Sequence, residues 1–258
     1  MKKLISILFL MLIFVSMLGC EKRNGTVSSD VGINKQQALS SGSVSGEAVK
    51  IPYLNDEYLC DDTQPGYKII DETIDEKGKN YDIHIHYPKF HGKSTDGVNR
   101  CIMEAVYKNT NWLRQMNEQK DGKNKNMRHI SLEYTVKKST ERFVSVRFDG
   151  LNNMEGAAHP LNIAFCINYD IRKNKKLPLS EVITDSHELY EEMPIHIEKY
   201  ANTVPAEDGY INALKHEWEK IDRDSMIEND LFYVEGGILF WGIRFNFGSL
   251  GVDYIPIN

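Results

Sequence analysis

From Tyr67 onward the spacing of apolar residues switches between every second position and the i, i+3, i+4 pattern of a helix, and this switching constrains the fold more than any other feature. Residues 67–74 and 81–87 alternate like strands around the turn at 76–80, which predicts a hairpin. Pro88 and Gly92 then break the chain, and Val98, Ile102, Ala105, Val106, Trp112, Leu113 and Met116 recur at helical spacing. Period two returns at 130–138, 142–149 and 161–170, which predicts a three-stranded meander, with turn-like residues at 150–156. A helical pattern follows from Leu179 to Tyr200, with Pro194 expected to kink or divide it, and another over 209–221. Strands at 231–234, 238–245 and 252–257 close the chain. The predicted class is α+β: mixed, largely antiparallel sheets with one N-terminal helix and one or two helices of the C-terminal half packed on them.

Upstream of this region, residues 21 to about 50 are rich in Ser, Gly, Asn, Gln and Val and nearly devoid of large apolar side chains. Such a stretch cannot bury enough surface to offset the entropy of ordering, so it reads as a tether. Before it stand Lys2 and Lys3, an apolar run from Leu4 to Leu18, and Met17-Leu18-Gly19-Cys20. This is the anatomy of an export signal, and its last four residues resemble the lipobox of bacterial lipoproteins. The rival reading is an uncleaved membrane helix, but the apolar run falls short of the roughly 20 residues needed to span a bilayer core. The expected division is a signal at 1–19, lipidated Cys20 and tether at 20–60, a first lobe at 61–150 and a second at 151–258. The expected place is the extracytoplasmic face of the cell membrane, with the bilayer as partner through acylated Cys20.

Removing the signal takes two of the 31 basic residues and none of the 37 acidic ones, which moves the formal charge from -6 to -8. An acidic domain lacks the basic footprint that phosphate contacts require, so nucleic acid is not an expected partner. Only Cys60, Cys101 and Cys166 follow Cys20, so at most one disulfide can form; the alternative is three buried thiols.

Several motifs occur in a fixed order: Tyr87-Pro88 before a helix bearing Asn99, Gly156-Ala157-Ala158-His159-Pro160, a strand ending in Asn168-Tyr169-Asp170, Lys176 to Val182, and Leu231-Phe232-Tyr233 with Gly236-Gly237, Phe240 and Ile255-Pro256. Together they resemble a bacterial extracytoplasmic domain family of unknown function. That family also occurs in the lysozyme-sensing anti-sigma-V factor and beside the catalytic domain of some peptidoglycan deacetylases. The resemblance implies a non-enzymatic envelope protein that binds a lysozyme-like protein or peptidoglycan, with His159, Tyr169, Asp170 and Trp241 as candidate ligand or structural positions. Taken by themselves, the small residues at 156–158 allow a tight turn, and His159 can serve as a backbone hydrogen-bonding group.

No catalytic constellation is recognised and no cofactor is expected. His84 and His86 alternate along a strand and so share a face, where two imidazoles could hold a metal, with His91 further along. They carry the alternative reading, a metal-dependent envelope hydrolase, although an exposed strand face explains them as well. His187-Glu188-Leu189-Tyr190-Glu191 lacks the second histidine of a zinc-protease helix, and Gly248-Ser249-Leu250-Gly251 is not a nucleophile elbow. The C-terminal aromatic residues alternate, which predicts one buried set and leaves Trp241 with Phe245 or Phe247 for the opposite face.

The lipobox reading predicts that Cys20→Ser abolishes attachment of labelled fatty acid while leaving the folded domain intact, because the acyl chains enter the bilayer and the tether carries no core residues. Cell fractionation with label incorporation checks it; a labelled variant would overturn the assignment.

Overall fold

The computed structural model describes residues 53–118, 126–204, 208–245 and 251–258. The signal, Cys20, most of the tether, the basic stretch around residue 122, Phe247 and the Gly248–Gly251 segment up to residue 250 lie outside the described residues. In chain order the elements are α1 (Asp56–Leu59), β1 (Tyr67–Lys77), β2 (Tyr81–Gly92), α2 (Asp96–Glu118), β3 (Arg128–Ser139), β4 (Phe143–Met154), β5 (Leu161–Asp170), β6 (Lys175–Lys176), α3 (Leu179–Val182), α4 (Ser186–Ala201), α5 (Asp208–Trp218), α6 (Arg223–Glu228), β7 (Phe232–Glu235), β8 (Ile238–Arg244) and β9 (Val252–Ile257).

Strands β1 to β6 form one sheet in sequence order, and β7 to β9 form another. All neighbouring strands are antiparallel except β2 and β3, which run parallel over Tyr81–Ile85 and Arg128–Leu132. The α+β class therefore holds, with one crossover that a hairpin reading does not contain: α2 carries the chain over the sheet between parallel strands, as such a connection must. Pro88 does not end β2. Pairing with β3 stops at Ile85, so the proline lies where β2 has β1 as its strand partner. Asn99 of α2 takes up the backbone beyond it, accepting from Phe90 N–H and donating to Phe90 C=O, both at 2.8 Å.

The alternation of each strand sorts side chains onto two faces. Ile83, Ile85, Ile130, Leu132, Val144, Val146, Phe148, Phe165, Ile167 and Tyr169 bury one face against Val98, Ile102, Val106 and Leu113 of α2. Gly97 lets α2 approach, since a Cβ there would stand 2.2 Å from the Tyr169 hydroxyl and 2.0 Å from Asn174 Oδ1. The opposite face over β3 to β5 meets β7, and behind β7 lies a second core of the C-terminal helices and strands. Its centre is Trp241, packed edge-on against Trp218 at 5.7 Å between centroids. Trp241 is thus fully buried, and Phe245 is buried as well; Phe240, stacked on Tyr233, stands on the other side of β8. The expectation that Trp241 faces outward is corrected: α4, packed on β9, and α5, packed on β8, cover that side of the small sheet.

Two further boundaries shift. Tyr53, Leu54, Tyr58 and Leu59 belong to the second core, so residues 53–60 are folded and not tether. The division at 150 falls inside β4, and the chain passes from one core to the other between Ile171 and Leu177. Pro194 lies within α4 without dividing it. Gly236 and Gly237 turn the β7–β8 hairpin at φ 56° and 79°, the left-handed values a two-residue hairpin turn needs.

The end of β5 joins the cores. Asn168 Nδ2 donates to Phe232 O at 2.6 Å, its Oδ1 accepts from Ser145 Oγ at 2.7 Å, and Ser145 Oγ accepts from Val234 N–H at 3.0 Å. Two side chains of the large sheet so satisfy the open edge of β7. Asp170, fully buried, accepts from the Tyr58 hydroxyl and from Lys173 N–H, and pairs with Arg142 at 3.4 Å. A β-bulge between Val136 and Lys138 turns Lys138 inward, where Nζ donates to Leu59 O at 2.5 Å.

Arg142 also pairs with Glu57, so Asp170→Ala removes the acceptor it shares with Tyr58 without leaving the guanidinium unpaired; it should lower stability by about 1–3 kcal/mol, with Asp170→Asn losing less; chemical denaturation reads the difference. A second expectation concerns His196, buried in α4 with Nε2 2.6 Å from the Tyr53 hydroxyl. Burial holds its pKa below the ordinary value, Lys199 lowers it further and Glu192 opposes them. The unfolded chain then binds more protons below about pH 6.5, so stability held above that pH declines as pH falls. Denaturation midpoints at about pH 7.5 and 5.5 should differ more in the native chain than in His196→Gln.

Candidate functional site

β6 pairs with β5 only at Tyr169 and Asp170, so among the described residues the edge of β5 from Leu161 to Asn168 has no partner strand. α2 flanks this edge, and Arg244 at the end of β8 reaches it, Nη2 donating to Ala164 O at 2.9 Å. Between them runs a cleft. One part, about 230 Å³, is lined by Asn109, Trp112, Asn152, Leu161, Asn162 and Arg244. An adjoining part of about 260 Å³ shares Asn109, Ala164 and Arg244 and adds Glu104, Lys108 and the Lys176–Asp230 ion pair.

The cleft combines apolar surface with directional polar groups. Leu161 is exposed at the rim, and Trp112 offers an indole whose Nε1–H donates to Asn109 O at 3.1 Å, with the Arg128 guanidinium 5.2 Å from the ring centroid. Asn152 is only 7% exposed, and its Oδ1 has no hydrogen-bond partner. A buried acceptor left unmatched costs about 1–3 kcal/mol, so this oxygen invites a hydroxyl or amide donor. Burial pushes the thiol of Cys166 up to about 12 and raises that of Cys101, so neither presents a thiolate to the cleft at neutral pH. All three described cysteines are free: Cys166 is buried, Cys101 half-buried and Cys60 exposed.

The residues singled out in the sequence do not converge here. His159 is exposed in the β4–β5 turn, Tyr169 is buried toward α2 with its hydroxyl donating to Asn174 Oδ1, and Asp170 and Trp241 are core residues. Asn168-Tyr169-Asp170 thus serves the joint between the cores. Asn152 escaped notice because residues 150–156 look like a turn, whereas β4 continues to Met154 and sets Asn152 opposite Leu161. In α4, His187 and Glu191 are both exposed.

His84 and His86 do come together, on the face of the large sheet opposite α2. Their ring centroids lie 5.0 Å apart. His84 Nδ1 is 2.5 Å from Asp75 Oδ1 and His86 Nδ1 is 2.9 Å from Asp71 Oδ2. The Asp71 hydrogen bond, with the charges of Glu133, Asp71 and Asp75, outweighs partial burial and raises the pKa of His86. His91, at the far end of β2, is not part of this group.

Among the described residues no helix is long and apolar enough to cross a membrane. Sequence comparison with protein families and with curated proteins finds no match. The fold does have solved counterparts. It is similar to a DUF3298 family protein from Bacteroides fragilis, at 11% identity and a TM-score of 0.51, with 76% of this chain and 91% of that one covered. A DUF3298 family protein from Pseudomonas aeruginosa aligns over the same shares at 14% identity and a TM-score of 0.51. The chain therefore shares the fold of a domain family whose function is unknown.

Proposed function

We propose that this protein is a lipid-anchored, extracytoplasmic binding protein of the cell envelope that holds cell-wall glycan in the cleft beside β5 without transforming it. The observation carrying this reading is the composition of the cleft: an indole, apolar rim residues, side-chain amides and the unmatched oxygen of Asn152. Sugars present apolar ring faces with hydroxyl and acetamido donors, and such a mixture of aromatic surface with a few placed polar groups is how ligand sites fix their orientation. The lipobox-like sequence at Cys20 and the tether behind it support a place at the membrane surface, within reach of the wall.

A second reading rests on charge. The processed chain would carry a formal charge of -8, which suits a basic protein such as lysozyme and accords with the resemblance to the anti-sigma-V ectodomain.

Calorimetric titration of the detergent-purified chain with soluble peptidoglycan fragments and, separately, with lysozyme tests both. Saturable glycan binding weakened about tenfold or more by Leu161→Asp or Asn152→Ala, a change of about 1.4 kcal/mol, supports the cleft. Binding of lysozyme alone, unaffected by those substitutions, moves the function to the protein partner; binding of neither overturns both readings.

A further inference from the structure

The geometry points to a divalent transition-metal site of the zinc class formed by His84, His86 and Glu133 on the open half of the large sheet. Strand alternation puts His84 and His86 on one face of β2, and parallel pairing sets His84 beside Ser131 and Ile85 beside Leu132. One position further along β3, just beyond the last paired residues, is Glu133. One ligand-capable atom from each of the three residues lies within 4.8 Å of the other two. Tetrahedral Zn²⁺ with ligands at about 2.0–2.2 Å holds donor atoms roughly 3.4 Å apart, so modest side-chain rotation closes the set. The side chains have room to rotate: those of His84 and His86 are 49% and 30% exposed. β7 crosses this face over β3 to β5 and leaves β1 and β2 uncovered.

The second observation comes from the neighbouring strand. Asp75 engages Nδ1 of His84, and Asp71 engages Nδ1 of His86. A carboxylate on Nδ1 fixes the proton there and leaves Nε2 as the lone-pair nitrogen, the arrangement that orients metal-binding histidines and raises their basicity. A separate carboxylate performs this for each ring, both from β1. Three carboxylates surround two imidazoles, and the excess negative charge is what a divalent cation neutralises. Two imidazoles and one carboxylate suit Zn²⁺ and neighbouring transition metals better than Ca²⁺ or Mg²⁺, which prefer all-oxygen shells. Three protein ligands leave at least one coordination position toward solvent, for water or for a donor of a bound molecule.

The test is Zn²⁺ titration of the chelator-treated, detergent-purified full chain against a chromogenic competitor. One Zn²⁺ per chain with a dissociation constant of about a micromolar or tighter is expected. Asp75→Asn and Asp71→Asn should each weaken binding about 10–100-fold, and the double variant His84→Ala, His86→Ala should lose the stoichiometric site. Because these side chains lie on an exposed face, unchanged denaturation midpoints without metal should accompany the losses. Zn²⁺ should also raise the thermal midpoint of the native chain and leave the double variant unmoved. Failure of the native chain to bind Zn²⁺ more tightly than about a millimolar, or a stoichiometric site surviving in the double variant, overturns the assignment.

Discussion

The polar joint at the end of β5 is the interaction on which the two cores depend. Strand alternation sends Tyr169 into the α2 core and the residues on either side of it, Asn168 and Asp170, toward the C-terminal core. Asn168 and Ser145 satisfy the open edge of β7, and Asp170 gathers Tyr58, Arg142 and the Lys173 backbone. Buried polar groups of this kind are tolerated because each has a partner, and removing one member exposes the desolvation cost of the others. The joint also explains why residues 53–59 fold back across the molecule: Tyr58 supplies a donor to Asp170, while Leu59 supplies an acceptor to Lys138.

What the joint leaves uncovered is as consequential as what it closes. By tying β7 over β3 to β5 it leaves the face of β1 and β2 open, and there the two histidines stand among carboxylates. β6 pairs with β5 only at its last two residues and Leu177 N–H donates to Asn168 O, so the edge before Asn168 is left to α2 and Arg244. The cleft and the histidine cluster are thus separate products of one packing arrangement, and each has chemistry that the other lacks: side-chain amides and an indole in the first, paired imidazoles in the second.

Much of the architecture was legible in advance, because strands and helices with one buried face announce themselves by periodicity. Among the described residues eight strands and the helices α2, α4 and α5 follow the spacing of residues such as Ile83, Ile85, Ile102 and Val106; α3 opens the helical pattern at Leu179 but is cut from α4 at Ile183–Asp185, and the two-residue β6 and the short α6 are too brief to hold a period. The same spacing misled at the C-terminal strands, where alternation revealed two faces but not which was covered; Trp241 went to the face beneath the helices. Residues 53–59 were assigned to the tether since four apolar side chains in a polar neighbourhood carry no period, although each is buried.

Sequence alone determined the order of the longer elements, the α+β class and the pairing of His84 with His86 on one face, since each depends on residues close together in the chain. Only the tertiary structure decided that Asn152 faces a cleft, that Glu133, Asp71 and Asp75 join the histidines, and that Asn168 and Asp170 hold a joint. Those relations link residues tens of positions apart, and they arise from strand register and sheet packing, which local propensity and periodicity do not encode.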